Sequence, residues 1–215
     1  MSARIDHFMY AVPSLDDGMQ WAADTFGVEA AYGGEHIGLG TRNALMSLGS
    51  TYLEIIAPDP AQSYDGTSGE KFANLSAGGL VTWAAEGDLN AIAATINAVG
   101  IDTHGPSRTQ RKTGSGEVLV WDLLFPIGSV HGTRMPFFID WLDCANPKDT
   151  NPVAGEFQSL VIATSKAPDL SGVLSAIGLD LVVEENAPAL AVTIESARGP
   201  VTLTSTEATA NIKMR

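Results

Sequence analysis

Cysteine, histidine and positive charge are scarce in this chain. Its 215 residues hold one Cys, four His and 12 Lys or Arg, against 25 Asp or Glu. One Cys closes no internal disulfide and builds no Cys-rich zinc or iron–sulfur site. With a net charge of -13 the surface repels phosphate, which argues against nucleic acid or an anionic membrane as partner. Long hydrophobic runs are also missing. Leu123 to Ile127 is among the longest, far short of the roughly 20 residues that a spanning helix needs. The N-terminus lacks the apolar stretch of a signal peptide. A cytoplasmic location is therefore expected. Any metal site must draw on His7, His36, His104 and His131 together with carboxylates.

What is present suits a packed core: 45% of residues are hydrophobic and 17% charged, too apolar for a disordered chain. Three segments share one grammar. Ile5 to Val12 reads as a strand; then Leu15, Met19, Ala22, Ala23 and Phe26 form a helical stripe, with Ser14 and Asp17 as a capping box and Gly27 as the stop. Leu80 to Ala85 is the second strand, followed by a stripe of Leu89, Ile92, Ala93, Ile96 and Val99, capped by Asp88 and stopped by Gly100. Phe157 to Ala163 is the third, followed by Leu170, Val173, Leu174 and Ile177, with Pro168 in the first turn and Gly178 as the stop. The stop glycines lie 73 and 78 residues apart. Further strand candidates follow each helix, so each unit reads βαβββ.

The expected fold is α+β, with repeated βαβββ modules forming curved mixed sheets around a cleft. The modules are placed at 1–57, 79–143 and 157–206, the first two pairing around the cleft. The Gly- and Pro-rich stretches 58–79 and 144–156 read as loops or linkers. An odd unit without a partner suggests a homodimer.

The βαβββ repeat resembles the vicinal-oxygen-chelate superfamily of glyoxalase I and extradiol dioxygenases. The wording of Ile5 to Val12, Gly33 to Leu45, Tyr52 to Ala57 and Pro136 to Trp141 is similar to its glyoxalase-like domain branch. The resemblance implies a divalent metal (Zn, Ni, Mn or Fe) held by His or Glu from the first and last strands of two units. Carried over, His7 and Glu54 take those positions in the first unit, and Asp140 matches Glu54 in the second. Strand alternation turns His7 and Glu54 into one cleft. His7 falls opposite Leu80 or Val81, neither of which binds metal.

Glu54 and His36 are the candidates for moving a proton. Arg42 and Asn43 can hold and orient a substrate, with Trp83, Trp121 and Phe138 as an aromatic wall. The same residues also have plain structural readings: a satisfied histidine, carboxylates paired with Arg42 or Arg134, and core aromatics. Arg108 to Lys112 is a basic cluster that reads chiefly as a solvated hairpin, and Gly114-Ser115-Gly116 reads as a turn. Two functions stand side by side. One is a metal-assisted lyase, isomerase or dioxygenase acting on adjacent oxygens; the other is a metal-free module that binds or sequesters a small molecule.

Overall fold

The computed structural model describes residues 2–112 and 118–212. The expected turn at Gly114-Ser115-Gly116 lies outside the described residues.

The first unit is β1 (Arg4–Ala11), α1 (Leu15–Phe26), β2 (Ala31–His36), β3 (Thr41–Ser47) and β4 (Tyr52–Pro58). Ser14 accepts the Asp17 amide hydrogen at the start of α1, and Gly27 ends it at φ +76°, a left-handed conformation that favours glycine. A short α2 (Ser68–Ala73) follows within the stretch expected to be a linker. It buries Phe72 against Met9 and Ile56. The second unit is β5 (Gly79–Glu86), α3 (Leu89–Ala98), β6 (Asp102–Lys112), β7 (Val118–Ile127) and β8 (Phe137–Asp140). Asp88 caps α3 through the Asn90 and Ala91 amides. After α4 (Pro147–Thr150), the third unit is β9 (Glu156–Thr164), α5 (Ala167–Ala176), β10 (Val182–Glu185), β11 (Ala189–Ser196) and β12 (Gly199–Thr204), followed by α6 (Glu207–Ala210).

The first two units share one eight-stranded sheet, ordered β2-β3-β4-β1-β5-β8-β7-β6. In each, the first strand lies beside the fourth and parallel to it, and β1 and β5 join the units antiparallel. The sheet curls strongly, so that its edge strands β2 and β6 come together. Its convex face carries Phe8, Ala44, Leu53, Ile55, Trp83 and Phe138, buried against α1 and α3. Its concave face carries His7, Asn43, Glu54, Trp121 and Phe137. Two-residue alternation separates the two sets except where a bulge interrupts it.

The third unit follows the same element order but pairs differently. Its sheet runs β10-β9-β11-β12, so the first strand sits between the second and third. It packs on the convex side of the large sheet, with Leu160, Ile162, Val192 and Ile194 in the same core as Phe8 and Trp83. The odd unit thus has its apolar partner within the chain, which removes the reason given for a dimer. Among the described residues no helix is long and apolar enough to cross a membrane.

Candidate functional site

The concave face holds a buried polar cluster built from five strands. Its centre is His7 on β1. The β1–β5 ladder slips one residue between Ile5 and His7. Such a bulge turns two successive side chains to one side. Asp6 and His7 therefore meet, with Asp6 Oδ1 2.6 Å from His7 Nδ1. The other ring nitrogen, Nε2, lies 3.5 Å from Glu54 Oε2 on β4. The imidazole is thus held between two carboxylates. Tyr52 stacks on it at 4.5 Å, and Phe137 meets it edge-on at 5.4 Å.

Asp6 has further support. Its Oδ2 accepts from Trp141 Nε1 at 3.1 Å and from Asn146 Nδ2 at 2.7 Å. Burial alone would raise the Asp6 pKa; the bond and charge of His7, with the Asn146 bond, bring it below the usual value. Burial lifts the Tyr52 phenol well above its usual pKa, and the charges of Asp6 and Glu54 add to this, so the hydroxyl keeps its proton.

Asn43 on β3 links the rest. Its Nδ2 donates to Glu54 Oε1 at 2.6 Å and lies 3.3 Å from His36 Nε2. Its Oδ1 accepts from Arg111 Nη1 at 3.1 Å. A guanidinium only donates, so Arg111 fixes which way the amide points. His36 Nε2 then accepts from Asn43, and its Nδ1 carries a hydrogen to Thr41 Oγ1 at 2.9 Å. Burial lowers the His36 pKa, with Arg111 and His7 pushing the same way and Glu54 opposing. Neutral His36 is the form that this acceptor role requires. Gly33 on β2 lets the edge strands close, because a Cβ there would collide with Asn43 Oδ1 and Arg111 Nη1.

The ladder registers relate the two halves. His7 opposes Ala84 while Met9 opposes Thr82, so exchanging β1 and β5 carries His7 to Thr82. Met9 pairs with Glu54 in the first half and Ala84 with Phe137 in the second, so the counterpart of Glu54 is Phe137. This replaces the expected match at Asp140. Asp140 lies on the opposite face, accepting the Leu142 amide, and lines a groove of about 720 Å³ with Arg4, Glu86, Asp122 and Trp141.

These positions decide the fit of a divalent metal. A structural or catalytic site needs at least three protein donors at about 2.0–2.3 Å from one point. Among the described residues, no group of three or more His, Cys, Asp or Glu side chains is so placed. Asp140 is turned away, Thr82 and Phe137 stand at the counterpart positions, and the Asn43 amide nitrogen already engages both Glu54 Oε1 and His36 Nε2. As arranged, the donor set does not fit a metal centre.

Of the residues expected from the sequence, His7, Glu54, His36 and Asn43 come together. Trp121 lies on the same face, packed with Leu45, Tyr52 and Ile139. Arg42, Trp83 and Phe138 do not join them. Arg42 alternates with Asn43 and points toward Asp16 of α1 at 3.6 Å. Trp83 is buried in the convex core and donates to the Arg134 carbonyl, and Phe138 is buried beside it. Asp6, Tyr52, Thr41 and Phe137 join the site without having been expected as site residues, though each adjoins or alternates with one that was. Arg111 was read with a solvated hairpin, but it is 8% exposed, near the end of β6.

A curled sheet of two paired βαβββ units with a polar concave face defines the class. Residues 5–178 match the Glyoxalase-like domain, and the chain belongs to that family. Among solved structures, a hypothetical protein from Staphylococcus aureus is similar in fold: 16% identical, TM-score 0.67, covering 94% of this chain and 88% of that one. Methylmalonyl-CoA epimerase from Mycobacterium tuberculosis is 20% identical with a TM-score of 0.46, covering 63% of this chain and 84% of that one. A methylmalonyl-CoA epimerase in complex with methylmalonyl-CoA and NH4+ is 23% identical with a TM-score of 0.47, covering 65% and 94%. A comparison with curated proteins finds no match.

Proposed function

We propose that the protein binds a small organic molecule against the concave face and exchanges a proton with it, as an isomerase or lyase acting beside a carbonyl. The observation that carries this reading is the His7 imidazole held between Asp6 and Glu54. Asn43 occupies Glu54 Oε1, which leaves Oε2 as the oxygen available to take a proton from carbon. His7, fixed through Nδ1 by Asp6, stands where it can share that proton and return it, so an isomerisation needs no further reactant. A positioned acid–base pair of this kind contributes about 10²–10⁴-fold to a rate. Tyr52, Trp121 and Phe137 supply an apolar wall that would hold the ligand body and keep water out.

The test is deuterium incorporation in D2O, followed by NMR, over a panel of 2-oxo, 3-oxo and 2-hydroxy acids with chelator present. Exchange at a carbon beside the carbonyl, reduced at least about 100-fold in Glu54→Gln, is expected. Exchange that Glu54→Gln leaves intact, or that appears only after divalent metal is added, overturns the assignment.

A second reading has its own observation. Asn43 joins Arg111, Glu54 and His36 through hydrogen bonds that call for no metal, as a metal-free binding module would require. Ligand binding without any exchange at carbon supports that reading over the first.

A further inference from the structure

Arg111 is the part of the cluster that the proton-transfer reading leaves unused. It is 8% exposed, and only one of its nitrogens, Nη1, has a described hydrogen bond in the site, to Asn43. Among the described residues its buried Nε has no partner. A guanidinium presents its Nε and Nη hydrogens in one plane, in the spacing that grips a carboxylate with two parallel bonds. Leaving such a charged donor buried and unmet is costly, so an acceptor at that edge is favoured. Arg111 pairs across the ladder with Leu119, which packs against the Trp121 cluster.

Two other arginines have a buried unpartnered Nε, and they differ in setting. Arg42 faces Asp16 on the convex side, and Arg134 donates through Nη1 to the Ala210 carbonyl beside α6. Neither touches the concave cluster. Arg111 is held there on purpose by the backbone: Gly33 leaves the space that its guanidinium fills, and the β6–β7 ladder sets it opposite Leu119. In a chain of net charge -13, a buried cation beside an apolar wall selects against neutral ligands rather than recruiting anions from a distance.

We infer that the ligand of the concave site is a small organic monocarboxylate, its carboxylate taken by Arg111 and its apolar body packed against Trp121 and Phe137. This rests on the concave face being the binding site. The carboxylate sits at the Arg111 end, which leaves the adjoining carbon skeleton running toward Glu54.

The test measures dissociation constants by ligand-observed NMR for phenylacetate and phenylpyruvate, each against its neutral amide, with wild type, Arg111→Gln and Arg111→Lys. Unfolding midpoints check that each variant is folded. Wild type is expected to bind each acid at least tenfold more tightly than its amide. Arg111→Gln should erase that preference while leaving amide binding within about twofold. Arg111→Lys, which keeps the charge without the planar fork, should restore part of it. Equal binding of acid and amide by wild type, or a tenfold preference that survives in Arg111→Gln, overturns the inference and leaves the concave site standing. Failure of wild type to bind either member of both pairs counts against the site itself and against both readings.

Discussion

β1 and β5 lie side by side at the centre of the large sheet and enter their units in the same way. Yet β1 carries His7 where β5 carries Thr82, and β4 carries Glu54 where β8 carries Phe137. The first half points a titratable network into the concave face. The second contributes Phe137, Trp121 and Ile139, and one cation from its edge strand, Arg111. Two units with the same backbone plan thus supply different things: one a cluster of titratable side chains, the other an apolar wall and a buried guanidinium. The fold fixes where side chains converge and leaves their chemistry free.

The largest expected effect lies outside the cluster, on the convex face that both halves share. Phe138 is fully buried there. Phe138→Ala should cost about 3–5 kcal/mol of stability, read by urea denaturation. A cost under 1 kcal/mol would mean that Phe138 faces the ligand instead. Next comes the contrast between Glu54 and Asp140. Glu54→Gln should reduce proton exchange at least about 100-fold, while Asp140→Asn leaves it within about twofold. The reverse ranking would return the chemistry to the second half.

Asn43→Ala comes third. It strips a partner from Glu54, His36 and Arg111 together, and should destabilise by about 1–3 kcal/mol in the same denaturation assay. A neutral result would show that Asn43 does not join the network as described. The smallest effect is a pH dependence. The folded-state pKa of His36 is below its unfolded value near 6.5, so the folded protein binds that proton more weakly. Its contribution is therefore complete above about pH 6.5 and is lost as pH falls through the lowered folded value. His131, also lowered by burial, adds in the same direction. Between pH 7.5 and 5.5 wild type should lose more stability than His36→Gln; equal losses would remove His36 from the account.

The helices and the first half were legible because their signals are local. The caps Ser14 and Asp88 and the stops Gly27, Gly100 and Gly178 act within one turn, and all three glycines adopt positive φ. His7 and Glu54 were pointed out by the family resemblance, and strand alternation set them on one face. The second half was misread where the backbone breaks period. Thr82 lies 18 residues before Gly100 while His7 lies 20 before Gly27, because α3 and the turn before it are shorter, so the offset of 73 between the stops carries His7 to Leu80 or Val81 rather than Thr82. A 3-10 turn at Gly132–Arg134 leads into a β8 of only four residues, and the face of Asp140 depends on where that strand starts. Arg111 had no local signal at all. It is buried because the sheet curls and brings β6 to β3, a contact 68 residues apart in sequence.

The most direct test of the account is where a carboxylate ligand sits in a crystal structure of the protein grown with phenylacetate. The account predicts the carboxylate within hydrogen-bond distance of Arg111 and the ring against Phe137 and Trp121, on the face that bears Glu54. Phenylacetate bound instead in the groove beside Asp140, Glu86 and Trp141, with the His7 cluster untouched, would contradict it.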